Sequence, residues 1–424
     1  MRNILVSIFL TGVFTLIMQG QSLNTDLLTD TVQNRSYRDD VLSVQLKQTS
    51  WEFTLPAIEL GSEQQLELLF DILSPDRGNL NYTLLHCNAQ WKLSDLRPSE
   101  YLSGFFEGHV TDASGSFNTT CQYMHYRLVF PEEDCKPLIS GNYVVVVYER
   151  NDPDKILLTR RFYVIEKTTD ITATVRQPSS GEYRETGQQV EFSIKYNTSE
   201  IRDPGDVRAV VMQNGRFDNA FILPRPFSVE PGKLNYSGTD GCIFKGGNEF
   251  RSLDIKSMKY QTENIAGIEF RNPYFVVIMK PDETREYKPY FSKTDLNGGF
   301  YVDCEKAEDR HTGCDYVYVH FVLNASAMYF GEDIYVTGGF CDWTMSSKNR
   351  MTYNEQENRY EITLLLKQGL YDYCFALKSS TDNEIISSPF EGDYYETEND
   401  YAVFVYHTDR FENYDRLAGF QIIK

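Results

Sequence analysis

Positive charge is the first thing this chain is short of. Against 61 Asp and Glu it carries 41 Lys and Arg, a formal charge of -20 with a pI near 4.8. Affinity for a phosphate backbone comes from displacing counterions, so this balance excludes a nucleic-acid partner. Only 3 tryptophans are present beside 29 tyrosines and 27 phenylalanines, a tilt toward single-ring aromatics that favours strands. Past the N-terminus there is no run of about 18 apolar residues, so no helix is expected to span a bilayer, and the short segments between Pro-containing polar loops do not suit a lipid-facing barrel. HExxH, P-loop, GxSxG and Gly-rich dinucleotide signatures are all missing, which leaves no motif-borne enzyme chemistry. What remains is a 424-residue chain, 41% hydrophobic, long enough for about three domains at ~150 residues each.

The N-terminus reads as an export signal. Met1-Arg2-Asn3 supplies a short positive start, Ile4 to Met18 an apolar run, and Gly20-Gln21-Ser22 small residues before a cut. The run falls short of the ~20 residues that cross hydrocarbon, and Cys87 lies too far away for lipid attachment at a cleavage site. Eight cysteines in an oxidising compartment could pair. Spacing suggests Cys304 with Cys314 and Cys341 with Cys374, with buried free thiols as the alternative.

Strand follows strand along the mature chain. Trp51 to Leu55, Gln65 to Phe70, Asn81 to Leu85, Arg127 to Phe130, Tyr143 to Tyr148 and Arg161 to Val164 alternate or run apolar between turn residues. The Tyr143 to Tyr148 run is apolar on both faces and predicts a central strand. Polar residues 166–170 and Pro178-Ser179-Ser180-Gly181 mark a boundary, after which Gln189 to Tyr196, Val207 to Gln213 and Tyr274 to Met279 continue the series. Tyr301-Val302, Tyr316 to Phe321, Ile334 to Phe340, Arg359 to Leu366, Tyr371 to Leu377, Tyr401 to Val405 and a final edge segment from Phe411 complete it. The expected fold is all-β: three consecutive immunoglobulin-like or early-set sandwiches at 23–165, 166–285 and 286–424, after a signal at 1–22.

Residue clusters that could carry chemistry are few. His86, Cys87, Cys121, His125 and Cys135 are ligand types that suit zinc, but without tight Cys-x2-Cys spacing. Asp309-Arg310-His311 lacks a placed nucleophile and reads as a solvated turn. Glu132-Glu133-Asp134 and the acids from Glu305 to Asp309 read as charged loops rather than calcium sites. Phe105-Phe106, Tyr394-Tyr395 and Tyr401 would offer rigid contact area to a protein or sugar if exposed. No catalytic residue, metal or cofactor is assigned.

The segment from 81 to 165 carries a family resemblance. Asn81-Tyr82-Thr83-Leu84-Leu85-His86-Cys87-Asn88-Ala89-Gln90-Trp91, Ser99-Glu100-Tyr101-Leu102-Ser103-Gly104-Phe105, Ser116-Phe117-Asn118-Thr119-Thr120, Tyr123-Met124-His125-Tyr126-Arg127 and Arg160-Arg161-Phe162-Tyr163-Val164 together closely resemble the plug protein family of the Bacteroidetes type IX secretion system. The family marks fall on His86, Trp91, Tyr101, Phe117, Asn118, Tyr126 and Arg161. The resemblance implies a periplasmic, non-enzymatic protein, peripheral to the outer membrane, that binds the translocon barrel and closes its periplasmic opening when no substrate is crossing. It does not say which residues make the contact.

The C-terminal part resembles early-set modules that bind glycogen or starch. Val336-Thr337-Gly338-Gly339-Phe340-Cys341-Asp342-Trp343 and Gly369-Leu370-Tyr371-Asp372-Tyr373-Cys374-Phe375 carry it, with Gly338, Phe340, Trp343, Gly369, Tyr371 and Phe375 as its marks. No tryptophan follows Trp343 to build a sugar-stacking platform. A periplasmic glycan-binding or glycan-processing accessory is therefore the alternative function. A glycan array would separate the two, since the plug reading expects silence.

Overall fold

The computed structural model describes residues 23, 25, 28, 31–133, 135–179, 181–238, 242–305, 307–325, 328–329, 331–378, 385–409 and 411–424. The expected signal at 1–22 lies outside them. Strands dominate, and the described helices are single turns such as Pro98–Tyr101 and Arg310–Gly313.

The first sandwich packs two sheets. One runs in the order Arg35–Ser36, Asp152–Ile165, Gly141–Glu149, Leu80–Cys87, Glu107–Val110, with Ala57–Glu59 parallel to Asp152–Ile165. The other runs Val41–Gln48, Leu66–Ile72, Met124–Phe130, Asp112–Gly115. Period-two alternation sends Tyr143, Val145 and Val147 into the core between these sheets, with Phe70, Tyr82, Tyr126 and Phe162. Val144, Val146 and Tyr148 point the other way, into a second apolar layer with Tyr163, Met212, Phe404 and Tyr406. The expected central strand is thus central twice over, buried on both faces.

That second layer joins the first sandwich to the middle one. The facing sheet runs Phe221–Leu223, Val207–Gln213, Tyr401–Asp409, Tyr414–Ile423. Behind it lies Thr169–Arg176, Gly187–Tyr196, Lys233–Asn235, Ser228–Glu230, with Cys242–Lys245 also on Gly187–Tyr196. Between them Val190, Phe192, Ala209, Val211, Val403 and Val405 form a separate core. Four sheets are therefore stacked in one pile.

The third sandwich sets Arg251–Asp254, Gly369–Lys378 and Phe300–Val302, with Ile334–Thr337 and Ile385–Ile386, against Ile265–Arg271, Tyr274–Met279, Tyr316–Asn324, Arg359–Lys367 and Thr352–Asn354. Val277, Val319, Phe321, Val336, Tyr373 and Phe375 fill it.

Two expectations about the order of units are corrected. Tyr274–Met279 pairs in parallel with Tyr316–Asn324 and belongs to the third sandwich, not the middle one. Tyr401–Asp409 pairs with Val207–Gln213 from Val207↔His407 to Gln213↔Tyr401, so the C-terminal strands close the middle sandwich rather than ending the third. The physical reason lies in the strand itself. Tyr401, Val403 and Val405 serve one core while Ala402, Phe404 and Tyr406 serve another, and only the position between two apolar layers buries both faces. The third sandwich is consequently an insertion in the middle one. Its entry and exit touch, with Asn399 Nδ2 donating to Gly246 O at 2.8 Å.

A third expectation also fails. Trp51 to Leu55 alternates but forms no strand; Trp51 and Phe53 are 68% and 59% exposed, and the strand falls earlier, at Val41–Gln48. Among the described residues no strand pairs with 51–55, which instead form a loop whose Glu52 accepts from Lys47 Nζ at 2.6 Å and from Arg310 of the third sandwich.

Candidate functional site

The first and third sandwiches are locked by buried polar groups. Asp71 accepts from His125 Nδ1 at 2.6 Å through Oδ1, and through Oδ2 from Lys367 Nζ at 2.6 Å and Tyr316 Oη at 2.7 Å. Lys367 also donates to His311 O at 2.7 Å and lies 4.1 Å from the Tyr123 ring centroid. Asp315 takes the backbone N–H groups of Thr120 and Cys121 at 2.7 and 3.0 Å. The His311 ring stacks on His125, and burial, then the neighbouring cations, pushes its pKa down to about 4.

Most family-mark residues prove to be structural. His86 is buried between Tyr101, Tyr143 and Tyr414, its Nδ1 3.0 Å from Ser94 Oγ and its Nε2 3.3 Å from Ser140 O; burial lowers its pKa to about 4. A side chain at Gly141 (φ +142°) would collide with this imidazole, which accounts for glycine there. Tyr101 accepts from Tyr143 Oη through its carbonyl, and Tyr126 stacks on Phe70 while its Oη accepts from Gly78 N at 2.7 Å. Phe117 is 78% exposed, yet its N–H donates to Thr312 O at 2.9 Å, and Asn118 beside it turns the backbone at φ +58°. In the third sandwich Phe340 packs edge-on to Tyr371, Tyr371 Oη donates to Lys367 O at 2.5 Å, and Phe375 packs edge-on to Tyr373. Gly338 and Gly369 sit where a Cβ would strike Asp372 O and Tyr301 O.

The zinc-type cluster is not assembled. His86 and Cys87 are adjacent on one strand and so face opposite sides; Cys87 enters the layer with Trp91, Cys135 enters the first core, and His125 is taken by Asp71. Among the described residues no group of three His, Cys, Asp or Glu side chains is placed to hold a metal ion. All eight cysteines are free thiols, so neither expected bridge is present. Cys304 nevertheless neighbours Cys314 and pushes its thiol pKa up, whereas Cys341 Sγ is turned to Gly338 O at 3.2 Å. Asp309 caps the turn Arg310–Gly313 by accepting from His311 N at 2.9 Å, but the turn is packed against the first sandwich, with His311 on His125 and Arg310 on Glu52, and is not the solvated turn expected. Glu132, Glu133, Glu305 and Glu308 are exposed and Asp134 lies outside the described residues. Of the aromatic pairs, Phe105 is 74% exposed, while Tyr401 is core and Tyr394 Oη bonds back to Arg285 O and Lys288 O.

Three marks do converge, at the junction of all three sandwiches. Arg161 places its guanidinium carbon 4.6 Å from the Trp91 ring centroid and 4.5 Å from that of Phe217. Arg216, one residue before Phe217, lies 4.4 Å over Trp343 and pairs with Asp218 at 2.6 Å. Arg160 pairs with Asp342 at 3.0 Å. Two cavities of about 310 and 390 Å³ open here, and Arg161, Phe217, Asp342 and Trp343 line both. Trp91, Asp342, Trp343 and Asn214 all have positive φ, between +52 and +62°, an uncommon backbone state for such residues. Burial lowers the pKa of Arg161 to about 10. Trp343 is occupied by Phe250 and Arg216 rather than presented as an open platform. Sequence reasoning misses Phe217 and Arg216, and Arg160 enters it only as the neighbour of Arg161. The visible signal is two consecutive arginines inside the apolar strand Asp152–Ile165.

Among the described residues no helix is long and apolar enough to cross a membrane. Comparison with known proteins finds that residues 41–166 match the family described as Type 9 secretion system plug protein 1st domain. This accords with a chain that works without catalysis. Curated proteins provide no match. Among solved structures, the crystal structure of a hypothetical protein from Parabacteroides merdae is 32% identical, with a TM-score of 0.87 over 92% of this chain and 98% of that one. The chain therefore belongs to one family with the Parabacteroides merdae protein, and its first sandwich matches the plug-protein first domain of the type 9 secretion system.

Proposed function

We propose that the protein is a periplasmic plug that binds the outer-membrane barrel of the type IX secretion translocon and covers its periplasmic opening in the absence of substrate. The observation that carries this reading is the match of residues 41–166 to the plug-protein first domain. The architecture supports it. A cover must be wide and must not flex, and here the first and middle sandwiches share a continuous apolar layer while the first and third share the Asp71–Lys367 pair. Such burial resists shear because tightly packed interiors deform little. The strong negative charge disfavours docking on anionic lipid, so association with the membrane runs through a protein partner. On this reading the sandwiches are immunoglobulin-like or early-set units used as scaffold, and no observation at Trp343 favours carbohydrate. Affinity purification of the tagged chain from cells extracted in mild detergent tests the association: recovery of a large outer-membrane barrel is expected, and its absence under conditions that keep the barrel intact would count against the proposal.

A further inference from the structure

Three arginines meet at the junction, and two of them have carboxylates. Arg160 holds Asp342 and Arg216 holds Asp218, whereas Arg161 pairs with no carboxylate among the described residues. It is 6% exposed. Its Nε donates to Val32 O at 2.6 Å, and its two Nη groups donate to no acceptor among the described residues. The Trp91 and Phe217 rings lie against the guanidinium, which fixes its plane and leaves the donor edge as the remaining direction of approach. A buried cation without an anion is costly, and a planar guanidinium fork matches a carboxylate in two parallel hydrogen bonds.

We propose that this cleft binds a carboxylate carried on a peptide, with Arg161 holding the carboxylate and the cavity walls at Trp91 and Phe217 taking a neighbouring apolar side chain. The cavities of about 310 and 390 Å³ are in the range of small-ligand sites. The protein's own carboxylates along their walls do not serve Arg161. Asp342 and Asp218 are held by their own arginines and Glu52 by Lys47 and Arg310, while Asp400 comes within ion-pair distance of no cation among the described residues. The incoming carboxylate could come from a chain terminus or from an acidic side chain, and the chemistry is the same. The proposal does not depend on the plug reading, since it rests on the unmatched charge and the cleft beside it.

Tryptophan emission reports on the site, because Trp91 and Trp343 line it and Trp51 does not. The full chain would be titrated with three blocked dipeptides: acetyl-Gly-Phe with a free C-terminus, acetyl-Glu-Phe-amide and acetyl-Gln-Phe-amide. A saturable emission change is expected with at least one of the first two, and which one responds identifies the source of the carboxylate. The neutral peptide should bind about tenfold more weakly or worse, the ordinary loss when a charged hydrogen-bond partner is removed. Arg161→Lys should weaken the preference and Arg161→Met abolish it, while the melting temperature of Arg161→Met without peptide stays level or rises, since an unpaired buried charge has been removed. Equal binding of the neutral and acidic peptides by the wild-type chain, or no response to any of them, would overturn the proposal irrespective of how the variants fold.

Discussion

At the scale of single residues, three side-chain arrangements make specific predictions. The Asp71–Lys367 pair is 1% exposed on both sides, so removing one partner strands the other. Lys367→Met is expected to cost about 3–5 kcal/mol of unfolding free energy, and the double variant with Asp71→Asn to recover part of it, as read by urea denaturation. His86 is held neutral, with its pKa near 4 in the fold against 6.5 ordinarily. Between those values the unfolded chain binds a proton that the folded chain does not, so stability is full above pH 6.5, falls as the pH drops and stops falling near pH 4. His86 alone should contribute roughly 3 kcal/mol to that fall. Urea midpoints of the wild type and of His86→Gln across this window should show the flatter profile in the variant. Cys304 and Cys314 are neighbours, close enough for Cys304 to raise the pKa of the Cys314 thiol. In an oxidising compartment they are expected to join, leaving six of the eight thiols for alkylation under denaturing conditions, and reduction should then lower stability by about 2–3 kcal/mol.

At the scale of elements, local pattern is a reliable guide to strands and a poor one to their partners. The runs at 143–148, 189–196, 207–213, 274–279 and 316–321 are strands as expected, because alternation and β-branched content act locally. Trp51 to Leu55 has the same alternation and is a loop, because a strand also needs a neighbour. Tyr401–Asp409 shows the limit most clearly. It is buried on both faces, yet nothing in its own residues identifies Val207–Gln213, almost two hundred positions earlier, as its partner. The insertion leads to a testable consequence. A chain ending at residue 399 loses the two strands that close the middle sandwich and should expose 169–245 to protease. Residues 248–392, whose ends meet where Asn248 Nδ2 donates to Glu391 O at 2.7 Å, should fold alone with a cooperative thermal transition.

The candidate site is legible only in part. Trp91, Arg161 and Trp343 each stand out in the sequence, but as marks in separate regions, and their meeting at one junction depends on how the sandwiches dock. Arg216 and Phe217 follow the turn at Asn214 and Gly215, both at positive φ, so a turn of only two residues lays Arg216 over Trp343 and brings Phe217 to the cleft wall. The zinc-type cluster fails for the opposite reason: its members include close neighbours in sequence, and strand alternation separates them.

At the scale of the whole molecule, the pile of four sheets with a third sandwich keyed to it is one continuously packed body. Its cores are continuous across one junction and polar-locked across the other, which is what a cover over a pore requires and what a set of independently swinging modules would lack. The Parabacteroides merdae structure has the same architecture over almost its entire length. Closure of a channel is the role proposed for this body, and conductance measures it directly. With the purified translocon barrel in a planar bilayer, adding this chain on the periplasmic side should abolish the open-pore current; an unchanged current with the chain demonstrably bound would rule out closure.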